Sequence, residues 1–152
     1  MAVYTKFTEE NIKSILSKYS IGNLNNFKGI QEGIENTNYF LLVEDKKYIL
    51  TVYEKRVKVE DLPFFSKLMI DLNKSGFECP VPILDTNNNP ITEFNNKKLM
   101  IVSFIEGKAK KILSPENCKS VGIEAAKMHE ITKKFKIKRK NDLSIKSWRK
   151  LF

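Results

Sequence analysis

The apolar positions of this chain fall into short runs whose spacing switches from helical to alternating and back. Ile12, Ile15, Leu16 and Tyr19 recur at helical spacing behind Thr8, which can accept a bond from a free N–H of a first turn, and behind Glu9 and Glu10, which favour that turn's positive end. They predict a first helix closed before Gly22. A strand-like stretch towards Phe27 and Gly29 follows, then a loop from Gly29 to Asn38. Two alternating runs, Asn38 to Val43 and Lys47 to Tyr53, flank the polar break Glu44-Asp45-Lys46 and predict a hairpin. A second helix is expected behind Asp61 as cap, with Pro63 in its first turn, Leu62, Phe65, Met69 and Leu72 as its buried stripe, and Gly76 as its stop. Pro80 and Pro82 demand extended chain, and Thr86 to Pro90 a turn. Ile91 to Phe94 and Leu99 to Ile105 read as a further hairpin joined at Asn95-Asn96. Ser114-Pro115-Glu116 opens a last helix, with Cys118, Val121, Ala125, Met128 and Ile131 on one side. Beyond Phe135 the chain is basic and irregular, and Trp148 and Phe152 stand out as apolar anchors.

Helices inserted among antiparallel strands make an α+β fold. The stretch Gly107 to Leu113 has one glycine, several lysines and no core pattern. It is the expected boundary, dividing residues 1–106 from 114–152 by a linker at 107–113.

Composition adjusts this picture. With 41% apolar and 11% aromatic residues in 152, the chain can bury a real core. No run approaches a membrane span, and the start has no apolar signal-like segment, so a cytoplasmic protein without membrane partners is expected. Cys79 and Cys118 are far apart and fit no metal spacing, and His129 is the single histidine, which argues against a Cys/His zinc site and for two reduced thiols. The net charge of +9 raises nucleic acid as a partner. Yet the only arginines are Arg56, Arg139 and Arg149, and phosphate-clamping surfaces favour arginine's planar fork. The densest basic run, Lys133 to Lys140, reads as a solvated helix end and loop, so no nucleic-acid partner is expected.

Three places could carry chemistry. Gly29 and Gly33 would let a loop between two strands turn closely and offer backbone N–H groups to phosphate oxygens, although glycines in a hairpin loop equally mark a plain turn. The loop is neither a Walker A motif nor the full glycine-rich loop of protein kinases. The strand exit Ser103-Phe104-Ile105 could present unpaired peptide groups to the edge of a base, or be an ordinary strand end. His129 lies beside an apolar stripe, where packing is the commoner role.

These segments carry a resemblance. MAVYTKFT, YSIGNLNNFKGIQEGIENTNY, YILTVYEKRV, DLPFFSKLM and GFECPVPI are similar to homoserine kinases of the type related to aminoglycoside phosphotransferases. The tail NDLSIKSWRKLF resembles the stretch leading into that family's catalytic lobe. The resemblance implies a protein-kinase-like N-lobe, an antiparallel sheet with flanking helices, plus the first helical part of a C-lobe. It implies transfer of the ATP γ-phosphoryl group to the hydroxyl of L-homoserine, a step in threonine biosynthesis, with Mg2+ in the full-length enzyme. Gly29, Gly33, Asn36, Thr37 and Asn38 would then lie near the phosphates, and Ser103, Phe104 and Ile105 would form the adenine hinge. Thr51 stands where such kinases carry a phosphate-binding lysine, and Pro63-Phe64-Phe65 where its glutamate partner would be. Lys55 and Arg56 could supply the missing charge, or be surface residues. No catalytic-loop aspartate or metal-ligand motif precedes Phe152. The expectation is therefore a fragment, inactive alone, that could self-associate through an exposed C-lobe face. Other small alcohols or amino sugars as substrate, and a stand-alone nucleotide-binding module, are the competing readings.

Overall fold

The computed structural model describes residues 3–55, 57–141 and 144–148. Helix α1, Glu9–Leu16, begins as Thr8 predicts, and the cap is doubled. The Asn11 N–H donates to Thr8 Oγ1 at 3.3 Å while the Thr8 N–H donates to Asn11 Oδ1 at 3.1 Å. Two orphan donors of the first turn are thus satisfied.

Strands β1 (Leu24–Ile30), β2 (Thr37–Val43), β3 (Lys46–Val52), β4 (Thr92–Phe94) and β5 (Lys97–Ser103) build one antiparallel sheet in the order β1-β2-β3-β5-β4. The β2–β3 turn is tighter than the sequence predicts: Lys46 pairs with Val43, leaving only Glu44 and Asp45 outside the ladder. Asn95 and Asn96 join β4 to β5 with φ of 49° and 58°, the left-handed pair that a two-residue hairpin turn requires. Asp85 organises the preceding turn, its carboxylate accepting the N–H groups of Asn87 and Asn89 at 2.9 and 2.8 Å.

The alternation along the strands decides which face is covered. Tyr39, Leu41 and Val43 of β2, Tyr48, Leu50 and Val52 of β3, and Leu99 and Ile101 of β5 share one side. They form the core with Phe7 and with Ile12, Ile15, Leu16 and Tyr19 from α1 and its exit. Asn38 and Phe40, Ile49 and Thr51, and Val102 lie on the opposite side, where they are half-buried.

Helix α2, Leu62–Lys74, follows a single 3-10 turn at Val59–Asp61. Here the sequence reading needs correction. Asp61 makes no side-chain cap bond; its carboxylate instead accepts Arg139 Nε at 2.6 Å. The buried positions are Leu62, Ser66 and Leu72, whereas Phe65 and Met69 are half-buried. Phe64 and Phe65 meet edge to face, and Phe64 meets Phe135 likewise at 5.6 Å.

Residues 104–113 carry no helix or strand, and those from Ile105 to Leu113 are exposed. Helix α3, Pro115–Thr132, opens on a second reciprocal cap, Ser114 with Asn117. None of its residues is buried, and Cys118 and Val121 of the predicted stripe are exposed. A short helix α4, Ile145–Trp148, interrupts the tail that the sequence presents as irregular. Phe152 lies outside the described residues. Among the described residues no helix is long and apolar enough to cross a membrane.

Candidate functional site

The expected loop is shorter than the sequence implies. Gly29 sits inside β1, paired with Tyr39, so it does not bend the chain. A Cβ there would lie 3.1 Å from a methyl of Val3 and 3.6 Å from the Tyr39 ring, so glycine at this position admits the N-terminal segment against the sheet. The free loop runs over residues 31–36, and Gly33, with φ of 114°, makes its bend.

The three polar residues at the loop's end point in different directions. Thr37 is fully buried. Its hydroxyl accepts the N–H groups of Tyr4 and Thr5 at 2.9 and 3.1 Å and donates to Glu54 Oε1 at 2.9 Å. One donor and two acceptor sites are all that a hydroxyl has, so Thr37 cannot also bind a ligand through its side chain. Asn36 Oδ1 accepts the Glu54 N–H at 3.2 Å. Asn38 and Thr51 are cross-strand partners on the half-buried face, joined by a 2.9 Å bond from Thr51 Oγ1 to Asn38 Oδ1. The position expected for a phosphate lysine therefore carries a neutral hydroxyl–amide pair. Lys55 is exposed in the turn beyond β3, and Arg56 lies outside the described residues.

At the strand exit the three expected hinge residues divide. The Ser103 N–H donates to the Val81 carbonyl and its hydroxyl accepts the Val81 N–H, both at 2.9 Å. The Phe104 N–H donates to the Lys47 carbonyl at 3.2 Å. These bonds hold the exit in place and commit both donors. Ile105 is the first residue whose peptide makes no hydrogen bond among the described residues. Phe104 packs edge to face on Phe40 at 5.6 Å, with Lys47 5.7 Å over its ring and paired to Glu106. A half-buried apolar surface of Ile30, Phe40, Ile49, Val102 and Phe104 thus ends at an exposed peptide edge. A depression of about 380 Å³ lies where it meets the loop, lined by residues 28–32 and Phe40. A planar heteroaromatic ring suits that arrangement: an apolar face to cover it and one peptide edge to bond it.

Glu54 is the residue that sequence reasoning missed. Its side chain is 11% exposed and receives Thr5 Oγ1 at 2.6 Å, Thr37 Oγ1 at 2.9 Å and Lys97 Nζ at 2.5 Å. Burial opposes its ionisation, but the bonds from Lys97, Thr5 and Thr37 and the lysine's charge outweigh that cost, holding the carboxyl below its ordinary range. The signal was an acid directly after an apolar strand; its partner Lys97 is too distant in sequence to be read. Tyr53, beside it, donates to Met100 Sδ at 3.7 Å, and burial pushes its phenol up to about 12. His129 is exposed on α3, away from any of these groups' hydrogen bonds. Among the described residues no three His, Cys, Asp or Glu side chains converge on a metal position.

The sequence model of the phosphotransferase enzyme family matches residues 26–151. The chain is 43% identical over all 152 residues to a homoserine kinase of Methylobacterium radiotolerans, covering 47% of that protein. It is 42% identical over the same span to one of Rhodopseudomonas palustris, covering 46%. The chain thus spans about half the length of these relatives. In structure it is similar to a spectinomycin phosphotransferase solved with ADP and spectinomycin, with a TM-score of 0.71 at 18% identity over 97% of this chain and 46% of that one. An aminopropanol kinase gives 0.70 at 12% identity over 93% of this chain and 48% of that one. At such identities the likeness speaks for the fold, which is the α+β, protein-kinase-like arrangement of the aminoglycoside phosphotransferases. With the family match covering most of its length, the chain belongs to the phosphotransferase enzyme family.

Proposed function

We propose that this chain is the nucleotide-holding part of a homoserine kinase, which moves the γ-phosphoryl group of ATP to the hydroxyl of L-homoserine on the way to threonine in the cytoplasm. The observation that carries the reading is the identity of 43% and 42% to homoserine kinases along the whole chain. Residues 1–106 would form the nucleotide lobe, 107–113 the linker, and 114–152 the start of the second lobe. The adenine edge would bond the Ile105 peptide under the apolar face, and the loop at 31–36 would cover the phosphates with its backbone around Gly33. Asn38 and Thr51 lie on the sheet face below that loop, where the Asn38 amide N–H groups can donate to a phosphate oxygen but neutralise none of its charge; the Thr51 hydroxyl has given its one hydrogen to Asn38 and only orients that amide. That task falls to Lys55, Arg56 or a magnesium ion held by other residues of the complete enzyme. Thr37 and the N–H groups of Ser103 and Phe104 act only by holding these elements in place.

The hinge gives a direct test. Ile105→Pro removes the first uncommitted N–H beyond the strand. It should weaken ADP binding, measured by calorimetry, about tenfold, the worth of one strong hydrogen bond, while Ile105→Ala should not. Equal affinities for the two variants would place the base elsewhere, and a wild type that takes up no ADP would overturn the nucleotide reading. Substrate choice is tested by ADP release from the complete enzyme with L-homoserine, aminopropanol or spectinomycin. Homoserine-dependent release supports the proposal; release with either of the others alone would reassign the acceptor.

A further inference from the structure

Two bonds tie the loop at 31–36, and two more tie the first residue of β2 beside it, to residues that precede α1 or follow β3. Tyr4 Oη donates to the Ile34 carbonyl near the loop's tip at 3.0 Å. The N–H groups of Tyr4 and Thr5 bond the Thr37 hydroxyl at the loop's end, and the Glu54 N–H bonds Asn36 Oδ1 beside it. The Glu54 carboxylate joins these tethers, receiving Thr5 and Thr37 together with Lys97 from the start of β5. Val3 packs into the space left by Gly29 at the loop's other end. Three separate parts of the chain therefore meet at one ionised, largely buried carboxylate.

A purely structural ion pair would need neither of the carboxylate's bonds from Thr5 and Thr37. Glu54 and Lys97 alone would fasten β3's exit to β5, which the ladder between those strands already does. What the additional bonds fix is the segment before α1, whose Tyr4 holds the Ile34 carbonyl, and the first residue of β2, where the loop ends. Without them the loop has Gly33 in the left-handed region, an exposed Ile34 and no other hydrogen bond among the described residues to hold it.

We infer that Glu54 is a positioning residue for the loop at 31–36, acting with Tyr4, Thr5, Thr37 and Lys97 as a clasp that presets the loop over the nucleotide's phosphates. The link to phosphates rests on the proposed function above; the clasp itself does not. Presetting matters because a loop that must be ordered on binding spends binding free energy on lost conformational freedom. A clasped loop has spent it during folding.

The test uses the 152-residue chain, with backbone 15N order parameters of residues 31–36 as one readout and ADP affinity as the other. Glu54→Gln removes the charge that gathers the clasp. Tyr4→Phe removes only the bond to Ile34 at an exposed site, so it carries no folding risk. Lys13→Ala, on α1, is the control. Both clasp variants should lower the order parameters at 31–36 while those of α1 and β3 hold, and both should weaken ADP binding, Glu54→Gln by roughly tenfold and Tyr4→Phe by less. A structural role alone would instead lower the melting temperature and loosen the whole sheet, and that result, or an unchanged loop, would overturn the clasp. If the loop loosens as expected but ADP affinity holds, the clasp stands and its link to binding falls. A wild type without ADP affinity would count against the nucleotide reading, and the order parameters would still decide the clasp.

Discussion

At the scale of single residues, hydrogen-bond capacity separates side chains that can meet a ligand from those that cannot. Thr37 and Thr51 look alike in sequence and both lie where a phosphate was expected. Thr37 has filled every site with Tyr4, Thr5 and Glu54, whereas Thr51 has given its one hydrogen to Asn38 and keeps only acceptor sites, leaving the Asn38 amide as the donor of that pair. Which threonine was which could not be read from the chain, because the partners lie 17 to 33 positions away. Ionisation carries the same logic into solution. Glu54 is held below its ordinary value in the folded state, so its contribution to stability is complete above the unfolded value of about 4.3 and is lost as pH falls through the lower folded value. Tyr53 is the mirror case, since its folded value of about 12 exceeds the unfolded value near 10, and stability falls as pH rises through that window. Urea midpoints measured across pH should therefore show an acid limb that Glu54→Gln flattens and an alkaline limb that Tyr53→Phe flattens. An acid limb unchanged in Glu54→Gln would mean that the clasp carboxylate is no more stable as an ion folded than unfolded.

At the scale of elements, the period of the apolar pattern was a faithful guide wherever burial is one-sided. The alternation in β2 and β3 placed Leu41 and Leu50 on the core face, and both are fully buried there. Leu50→Ala should cost about 2–5 kcal/mol in chemical denaturation, because a gap at the centre of the sheet has strands on both sides and cannot close. Ile49→Ala, one position along but on the half-buried face, should cost less, and equal losses would show that both faces are packed alike. Caps were legible for the same local reason: Thr8 and Ser114 act within three residues, although their reciprocal partners Asn11 and Asn117 were not foreseen. Asp61 shows where local reasoning fails. Its position suits a cap, but Arg139 competes for the carboxylate from 78 residues away and also lies 5.3 Å from the Phe65 ring. The loop at 31–36 was legible as a loop because of Gly33, and Gly29 misled because a strand glycine making room for Val3 looks no different from a bending one. The order of strands had no local signal at all; it follows from which edges meet after β3.

At the scale of the whole molecule, the two ends of the chain are built to different standards. α1 presses three buried residues into the sheet, while α3, more than twice as long, buries none. Ile112, Leu113, Val121 and Ile123 are 89%, 65%, 70% and 47% exposed, an apolar stretch at the start of a helix otherwise fringed with lysine. α3 packs on α2 with Ala125 and Met128 half-buried, and beyond its end Phe135 meets Phe64 while Arg139 meets Asp61 and Phe65. These contacts lie in the helix's second half and beyond it, whereas residues 118–124 are exposed. Helices owe most of their stability to such support, so the N-terminal half of α3 should exchange its amide hydrogens much faster than β2 or β3 despite its well-formed cap. The exposed apolar stretch gives that same half a second property. In solution the 152-residue chain should self-associate with rising concentration, measured by sedimentation, because burying those side chains against a second copy removes them from water. Replacing Val121 and Ile123 by lysine should restore a monomer without lowering the melting temperature, since neither side chain is buried in the folded chain. The lysine-rich surface opposes association at low ionic strength, so added salt should strengthen it in the wild type. A chain that stays monomeric at every concentration and salt, with α3 protected as well as the sheet, would mean that the helix is held by contacts stronger than those at its C-terminal end.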